Sequence, residues 1–315
     1  MKVLITGASG YVGSQTCKFL KKRSFYIFAV DRNQIKHKYF DQEIITDISD
    51  LKLIKILKEV DCVIHLAGSN LVAPSIKFPA KYYQDNVSST ILFLNACLTS
   101  GIQRFVFASS ATVYGKSKKE ILSEEDLCKP SNPYGWSKYM IEILLKDYAD
   151  AYDFQSVSLR FFNVAGADIE NELGQDKFST HIISRLIEKS FSGEEFVLNG
   201  NNYDTKDGTC IRDYVHVEDI ASGIFKAIKF KSLKEKASIF NLGEGVGYSN
   251  LEIIDSIKRN TFLKPKITIG PSIKGDVKRI VANTTKVKKE LGWEPKYNLD
   301  TIISTSYEWS KNNKA

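Results

Sequence analysis

Apolar positions along this chain fall into short runs separated by stretches of helical periodicity. Lys2-Val-Leu-Ile-Thr6 is a β-branched run that enters a glycine cluster, and apolar residues then recur at helical spacing from Tyr11 to Lys22. Phe25-Tyr-Ile-Phe-Ala-Val30 reads as a second strand, Glu43-Ile-Ile-Thr46 as a short third, and residues 51–59 as a helix. Asp61-Cys-Val-Ile-His-Leu66 is the next apolar strand, and residues 79–100 predict a long helix. Arg104-Phe-Val-Phe-Ala-Ser109 follows as a buried strand, with a loop to Lys129, a helix from Tyr134 to about Tyr152 and a strand at Ser156-Val-Ser-Leu-Arg160. Alternation of this kind predicts an α/β fold, a parallel sheet with helices on both faces. Beyond Asn163 the alternation loosens into long loops at 168–179 and 199–209, the mark of a smaller second domain.

The glycine cluster gives the first strand–turn–helix unit its chemistry. In Gly7-Ala-Ser-Gly10-Tyr-Val-Gly13 the first glycine suits a tight turn, the second lets backbone approach a pyrophosphate, and the third lets the helix pack on the strand. The free N–H groups around Tyr11 and Val12 and the positive end of the helix dipole complete a phosphate site. The spacing is G-x-x-G-x-x-G rather than the ordinary G-x-G-x-x-G. Asp31 lies 18 residues beyond Gly13, at the end of the second strand, where a carboxylate accepts from adenosine ribose hydroxyls and selects NAD over NADP. Arg32 beside it keeps the NADP alternative open. The expected fold is therefore Rossmann-like, a doubly wound parallel sheet in residues 1–163 with a smaller C-terminal α/β substrate-binding domain in 164–315. Residues 213–231 are expected to pack back onto the first domain. Ligands in such sheets bind beyond the carboxyl ends of the strands. That places Leu66, Ala67, Gly68, Ser109, Ser110, Phe161 and Asn163 at the cleft.

The segment Asn132-Pro-Tyr-Gly-Trp-Ser-Lys138 adds a reacting group. Pro133 suits the first position of a helix, with Ser131 or Asn132 as cap. Tyr134 and Lys138 then share one helix face. An ammonium beside a phenol favours the phenolate, which makes Tyr134 a candidate general base.

Composition narrows the setting. With 315 residues the chain has room for about two domains, and 43% apolar with 26% charged residues is ordinary for a globular protein. No apolar run reaches the length that spans a bilayer, and with no secretory leader visible the expected location is the cytoplasm. Cys17, Cys62, Cys97, Cys128 and Cys210 are scattered and odd in number, which points to reduced thiols, and no histidine or cysteine spacing suggests a metal. The net charge is +7, but only eight of the 44 basic residues are arginine, and they form no stripe, which argues against nucleic acid.

Longer motifs carry a resemblance. Ser109-Ser-Ala-Thr-Val-Tyr-Gly115, Tyr134-Gly-Trp-Ser-Lys138, Arg160-Phe-Phe-Asn-Val-Ala-Gly166 and the run from Tyr203 to Val217 together resemble the extended short-chain dehydrogenase/reductases. Within them the chain is similar to the UDP-glucose 4-epimerase (UDP-galactose 4-epimerase) family over its whole length. The resemblance implies tightly bound NAD and a UDP-sugar substrate whose C4 is oxidised, turned over as a 4-keto sugar and reduced on the other face. It implies that Ser110 bonds the sugar O4 and the Tyr134 oxygen, and that Lys138 binds the nicotinamide ribose. Asp47 and Ile48 would frame the adenine, and Asn86 would brace the cofactor loop. Asn163, Arg212 and Asp276, with Asn199, fall on the substrate side, and a homodimer is implied. Related dehydratases need an adjacent Asp and Glu after the Ser/Thr, where this chain has Ala111 and Thr112. Three positions depart from the epimerase pattern: Asn199 replaces an aromatic residue, Ile273 replaces an arginine, and Ile280 stands at a position of variable size. Another sugar, such as an N-acetylhexosamine or a pentose, or another nucleotide therefore stays open. A non-catalytic NAD-binding regulator on the same fold is the alternative of a different class, against which the intact Tyr134 and Lys138 argue.

Overall fold

The computed structural model describes residues 1–175, 181–231, 235–272 and 277–313. The chain begins with β1 (Lys2–Thr6), α1 (Tyr11–Lys21), β2 (Tyr26–Asp31), β3 (Gln42–Ile45), α2 (Leu53–Leu57), β4 (Cys62–His65) and α3 (Val72–Lys77). It continues through α4 (Pro79–Tyr82), α5 (Ser89–Thr99), β5 (Arg104–Ser110), β6 (Ile121–Leu122), α6 (Pro133–Ala151), β7 (Gln155–Phe161) and β8 (Asn163–Ala165). The remainder comprises α7 (Ile182–Ser192), β9 (Glu195–Asn199), β10 (Ile211–His216), α8 (Val217–Lys229) and β11 (Ala237–Leu242). It ends with β12 (Gly247–Ser249), α9 (Asn250–Asn260), β13 (Lys266–Gly270), β14 (Arg279–Ala282) and α10 (Leu299–Asn312).

Seven strands pair in parallel in the order β11-β7-β5-β4-β1-β2-β3. The winding reverses between β1 and β4, which opens a crevice at their carboxyl ends. Alternate side chains of β1 feed the two faces. Val3 and Ile5 pack with Ile220 and Ile224 of α8, while Leu4 packs with Phe93 and Leu94 of α5 and Ile141 and Leu145 of α6. A smaller sheet, β12-β10-β14-β6 with β8 on β10, and the separate pair β9–β13 stand with α7, α9 and α10 around a third core.

Three features differ from the sequence expectation. The helix over 79–100 is not uniform, because Tyr83–Ser88 forms a π-helical turn between α4 and α5, and Asn86 is buried within it. Such turns concentrate at functional sites, because the extra residue redirects neighbouring side chains. The short helix α3 is carried by a loop-like sequence. The segment that returns to the large sheet extends past residue 231, since β11 hydrogen-bonds along β7 from Ala237 to Leu242.

Candidate active site

A cleft of about 750 Å³ lies over the strand ends at the winding reversal. Its walls include Gly7, Gly10, Tyr11, Val12, Gly13, Asp31, Asp47, Ile48, Leu66, Ala67, Gly68, Ser109, Ser110, Tyr134, Lys138, Phe161, Asn163 and Arg212. Most of these residues, far apart in sequence, meet at the strand ends of the large sheet and its helices, and Arg212 comes from β10 of the smaller sheet. The glycine turn is tight enough to require its glycines. Gly7 has φ of +69°, and a Cβ on Gly13 would stand 2.0 Å from the Gly7 carbonyl oxygen. No side chain caps the N-terminus of α1, so its N–H groups face the cleft, as a pyrophosphate requires. Asp31 accepts from the Ser9 and Asn33 N–H groups at 3.1 and 3.0 Å, which ties the turn to the end of β2. The Arg32 guanidinium lies 3.7 Å from Asp47 and 3.8 Å from Asp85, so two carboxylates already face the one cation that would favour a 2′-phosphate.

Two residues shape the cofactor loop from behind. The Thr6 hydroxyl accepts from the Leu66 and Ala67 N–H groups, both at 3.2 Å, and His65 Nδ1 lies 2.8 Å from the same oxygen. Burial holds the His65 imidazole down to about 3, so it is a neutral packing residue. Asn86 does not line the cleft. Its Oδ1 accepts from Ser69 N at 2.7 Å, and its Nδ2 donates to Ser69 O and Ser137 Oγ, both at 2.9 Å, which fastens the loop to α6.

Ser110 ends β5, and Tyr134 and Lys138 stand on α6. Asn132 Oδ1 caps α6 by accepting from Gly135 N at 2.9 Å, with Pro133 at the first helical position. Tyr134 and Ser110, the latter at the end of β5, line the cleft together. Lys138 Nζ donates to the Ala108 carbonyl at 2.9 Å and lies 6.0 Å from the Tyr134 ring centre. Burial brings the Lys138 ammonium down to about 8. Burial raises the Tyr134 phenol above its ordinary value, and the Ser110 hydroxyl works against that rise. The lysine's reach is spent on the Ala108 carbonyl.

The model of the NAD dependent epimerase/dehydratase family matches residues 3–243. The chain belongs to that family. A UDP-glucose 4-epimerase of Lactobacillus helveticus is 40% identical to this epimerase/dehydratase, with 99% of this chain and 97% of that protein covered. The crystal structure of a UDP-glucose-4-epimerase from Stenotrophomonas maltophila, with bound NAD and formylated UDP-arabinopyranose, superposes with a TM-score of 0.95 at 30% identity, covering 100% and 99% of the two chains. A UDP-Glc/GlcNAc 4-epimerase from Campylobacter jejuni superposes at 0.85 with 33% identity and 99% of each chain covered.

Sequence reasoning missed a buried ion pair that meets the Ser109 side chain. Arg160 donates from Nε to Glu142 Oε1 at 3.0 Å and from Nη2 to Oε2 at 2.7 Å, with both side chains 2% exposed. The Ser109 hydroxyl donates to the same Glu142 Oε1 at 2.5 Å, so Ser109 turns away from the cleft and presents only backbone to it. Glu142 stands one turn after Lys138 on a buried helix face, and a carboxylate there needs a buried partner. That was the available signal.

On the substrate side, Asn163 Nδ2 donates to the Asp213 carbonyl at 2.8 Å, and Arg212 and Ile280 reach the cleft wall. Asn199 is not among the lining residues; it ends β9, exposed and paired with Gly270. Asp276, Ile273 and Lys274 lie outside the described residues. His216 is occupied locally, with Nδ1 accepting from Glu218 N at 3.2 Å, and the buried Trp293 donates to the Asp219 carbonyl at 3.0 Å. No helix of the described residues is long and apolar enough to cross a membrane.

Proposed function

We propose that this chain catalyses NAD-dependent C4 epimerisation of a UDP-sugar, interconverting UDP-galactose and UDP-glucose. The observation that carries the reading is that Ser110, Tyr134 and Lys138 line the strand-end crevice together, with Lys138 one helical turn after Tyr134. The open N-terminus of α1 and the Gly7–Gly13 approach fit a dinucleotide pyrophosphate, with Asp31 at the adenosine ribose, Asp47 and Ile48 at the adenine and Lys138 at the nicotinamide ribose. The cofactor, when bound, supplies the acceptor and later the donor of the C4 hydride.

The chain's own residues handle the proton and the geometry. Tyr134 Oη takes the proton of the C4 hydroxyl as C4 becomes a ketone, and Ser110 stabilises the oxygen that holds it. Arg212 and Asn163 keep the diphosphate anchored while the 4-keto sugar turns over; the guanidinium fork suits phosphate oxygens. Tyr134 then returns the proton to the C4 oxygen of the inverted sugar. Ala111 and Thr112 offer no carboxyl group for elimination, which supports epimerisation over dehydration. Because Ile280 lines the cleft and Asn199 stands where the family pattern has an aromatic residue, an N-acetylhexosamine or a pentose as the sugar is the second reading.

A second copy of the chain is the proposed partner. Trp136, Met140 and Ile143 form a stripe on α6 that is 37%, 37% and 46% exposed, and Leu92 on α5 is 51% exposed. These two helix faces suit an isologous four-helix dimer. The buried free thiols Cys17, Cys62, Cys97 and Cys210 support a reducing, cytoplasmic location.

Protein purified without added cofactor should invert C4 of UDP-galactose, followed by NMR across a panel of nucleotide sugars. Inversion confined to N-acetylated or pentose sugars would move the substrate, and bound NAD with no turnover of any UDP-sugar would sink the reading. Tyr134→Phe should lower kcat by about 10²–10⁴-fold with NAD retained. The Lys138 cation is present below about 8 and lost above it, so kcat should decline as pH rises through that value. A flat profile to pH 10 would remove Lys138 from the chemistry.

A further inference from the structure

The loop of residues 32–41 connects β2 to β3, and its first two residues, Arg32 and Asn33, line the cleft. His37 lies in this loop and is partly buried. Its Nδ1 accepts from the Tyr39 N–H at 3.2 Å, and its Nε2 lies 3.0 Å from the Ala8 carbonyl oxygen. Both partners are backbone groups with a single role: an amide N–H only donates and a carbonyl only accepts. The tautomer is therefore fixed, with the proton on Nε2 and a bare lone pair on Nδ1. Burial holds the imidazole below its ordinary value, against the opposing influence of the Ala8 carbonyl and the Glu43 carboxylate, so the ring is uncharged around neutral pH.

Ala8 belongs to the glycine turn, directly after Gly7. The peptide that joins it to Ser9 is planar, so its carbonyl and its N–H point in opposite directions and turn as one unit. The carbonyl takes the His37 proton, and the Ser9 N–H donates to Asp31 Oδ2 at 3.1 Å. Asp31 Oδ1 accepts from the Asn33 N–H at 3.0 Å, near the start of the His37 loop. Turn and loop are thus fastened to each other twice, once through Asp31 and once through His37. We propose that His37 is a positioning residue for the dinucleotide: its Nε2–H locks the Ala8–Ser9 peptide, and through it the Asp31 carboxylate, in the orientation that receives the adenosine ribose. The inference deepens the NAD reading of this cleft and rests on it.

Two variants separate the two nitrogens of the ring. His37→Asn keeps an acceptor for the Tyr39 N–H, as in an Asx turn, but is too short to donate to Ala8. His37→Gln keeps a donor of the right reach for Ala8 and loses the near acceptor. Release of NAD from the purified holoenzyme is followed by chasing with isotopically labelled NAD, with no sugar present. His37→Asn should release NAD about 3- to 10-fold faster than the parent, the worth of one hydrogen bond, and His37→Gln should stay within about twofold of it. In 15N–1H spectra of the holoenzyme, with the variants assigning the resonances, His37 should carry its proton on Nε2. Parent-like release from His37→Asn, release from His37→Gln as fast as from His37→Asn, or a proton on Nδ1 overturns the proposal. A parent that neither carries nor takes up NAD fails the dinucleotide reading and this proposal with it; a parent that holds NAD beside an unchanged His37→Asn fails this proposal alone.

Discussion

Two lysine- or arginine-centred clusters hold this molecule together, and they differ in how much water reaches them. Under the active site, Arg160 and Glu142 pair one to one and both are buried, with Ser109 completing the carboxylate. On the outer flank of α1, Lys18 is buried but serves three carboxylates, Asp168, Glu170 at 2.9 Å and Glu172 at 2.8 Å, of which the last two are largely exposed. Burial works against the Lys18 ammonium, yet its hydrogen bonds with Asp168, Glu172 and Glu170 hold it above its ordinary value. These three carboxylates form the one acidic group among the described residues compact enough for a metal ion, and the lysine occupies it. With Tyr11 donating to the Gly166 carbonyl at 2.6 Å and Gln15 to the Leu173 carbonyl at 2.9 Å, one face of α1 fastens the segment after β8. The inner pair is shut off from water and so sets geometry; the outer cluster has spare carboxylates and so tolerates loss.

That contrast can be broken experimentally. Arg160→Met leaves Glu142 buried without its partner and should cost about 3–5 kcal/mol in denaturant unfolding. Adding Glu142→Leu should recover most of that stability but not turnover, because Ser109 then lacks its acceptor next to Ser110. Recovery of both would make the pair a packing feature only. Lys18→Met should cost less, about 1–3 kcal/mol, since Asp168 keeps the Glu172 and Leu173 N–H groups at 2.9 and 2.6 Å. Its kcat should match the parent. Salt sharpens the comparison: raising ionic strength from about 0.05 to about 0.5 M should shrink the Lys18 effect and leave the Arg160 effect in place. Glu170→Gln should lower the unfolding midpoint only slightly at neutral pH, because water screens this exposed carboxylate. Hydrogen bonds from Lys22 and Lys18 hold that carboxyl near 2, so its contribution is present above its ordinary value and fades only as pH falls through about 2.

The glycine turn, Asp31 and the strand-end residues were legible because local spacing dictates them: a β-branched run into Gly7–Gly13 has few structural solutions. Tyr134 and Lys138 were legible as a pair on one helix face, but their electrostatics were not. Whether Lys138 faces the phenol or the Ala108 carbonyl depends on how α6 sits on β5, which no spacing encodes. The same applies to Arg160, whose partner Glu142 lies on another element. The π-helical turn around Asn86 was hidden because its residues keep ordinary helical composition. Strand β11 was missed because its large-sheet partner, β7, lies across an intervening layer of chain.

The position of β11 bears on how the protein is made. When β7 leaves the ribosome it is a parallel edge with unpaired N–H and C=O groups, and the strand that covers it is still to be synthesised, on the far side of β8 to β10 and α8. Exposed strand edges of this kind pair with other chains. A fragment cut after residue 163 would carry every glycine of the cofactor turn and both Tyr134 and Lys138, and would still present that open edge. Nascent chains are therefore most exposed to aggregation and to chaperone capture in the interval before Leu242 emerges.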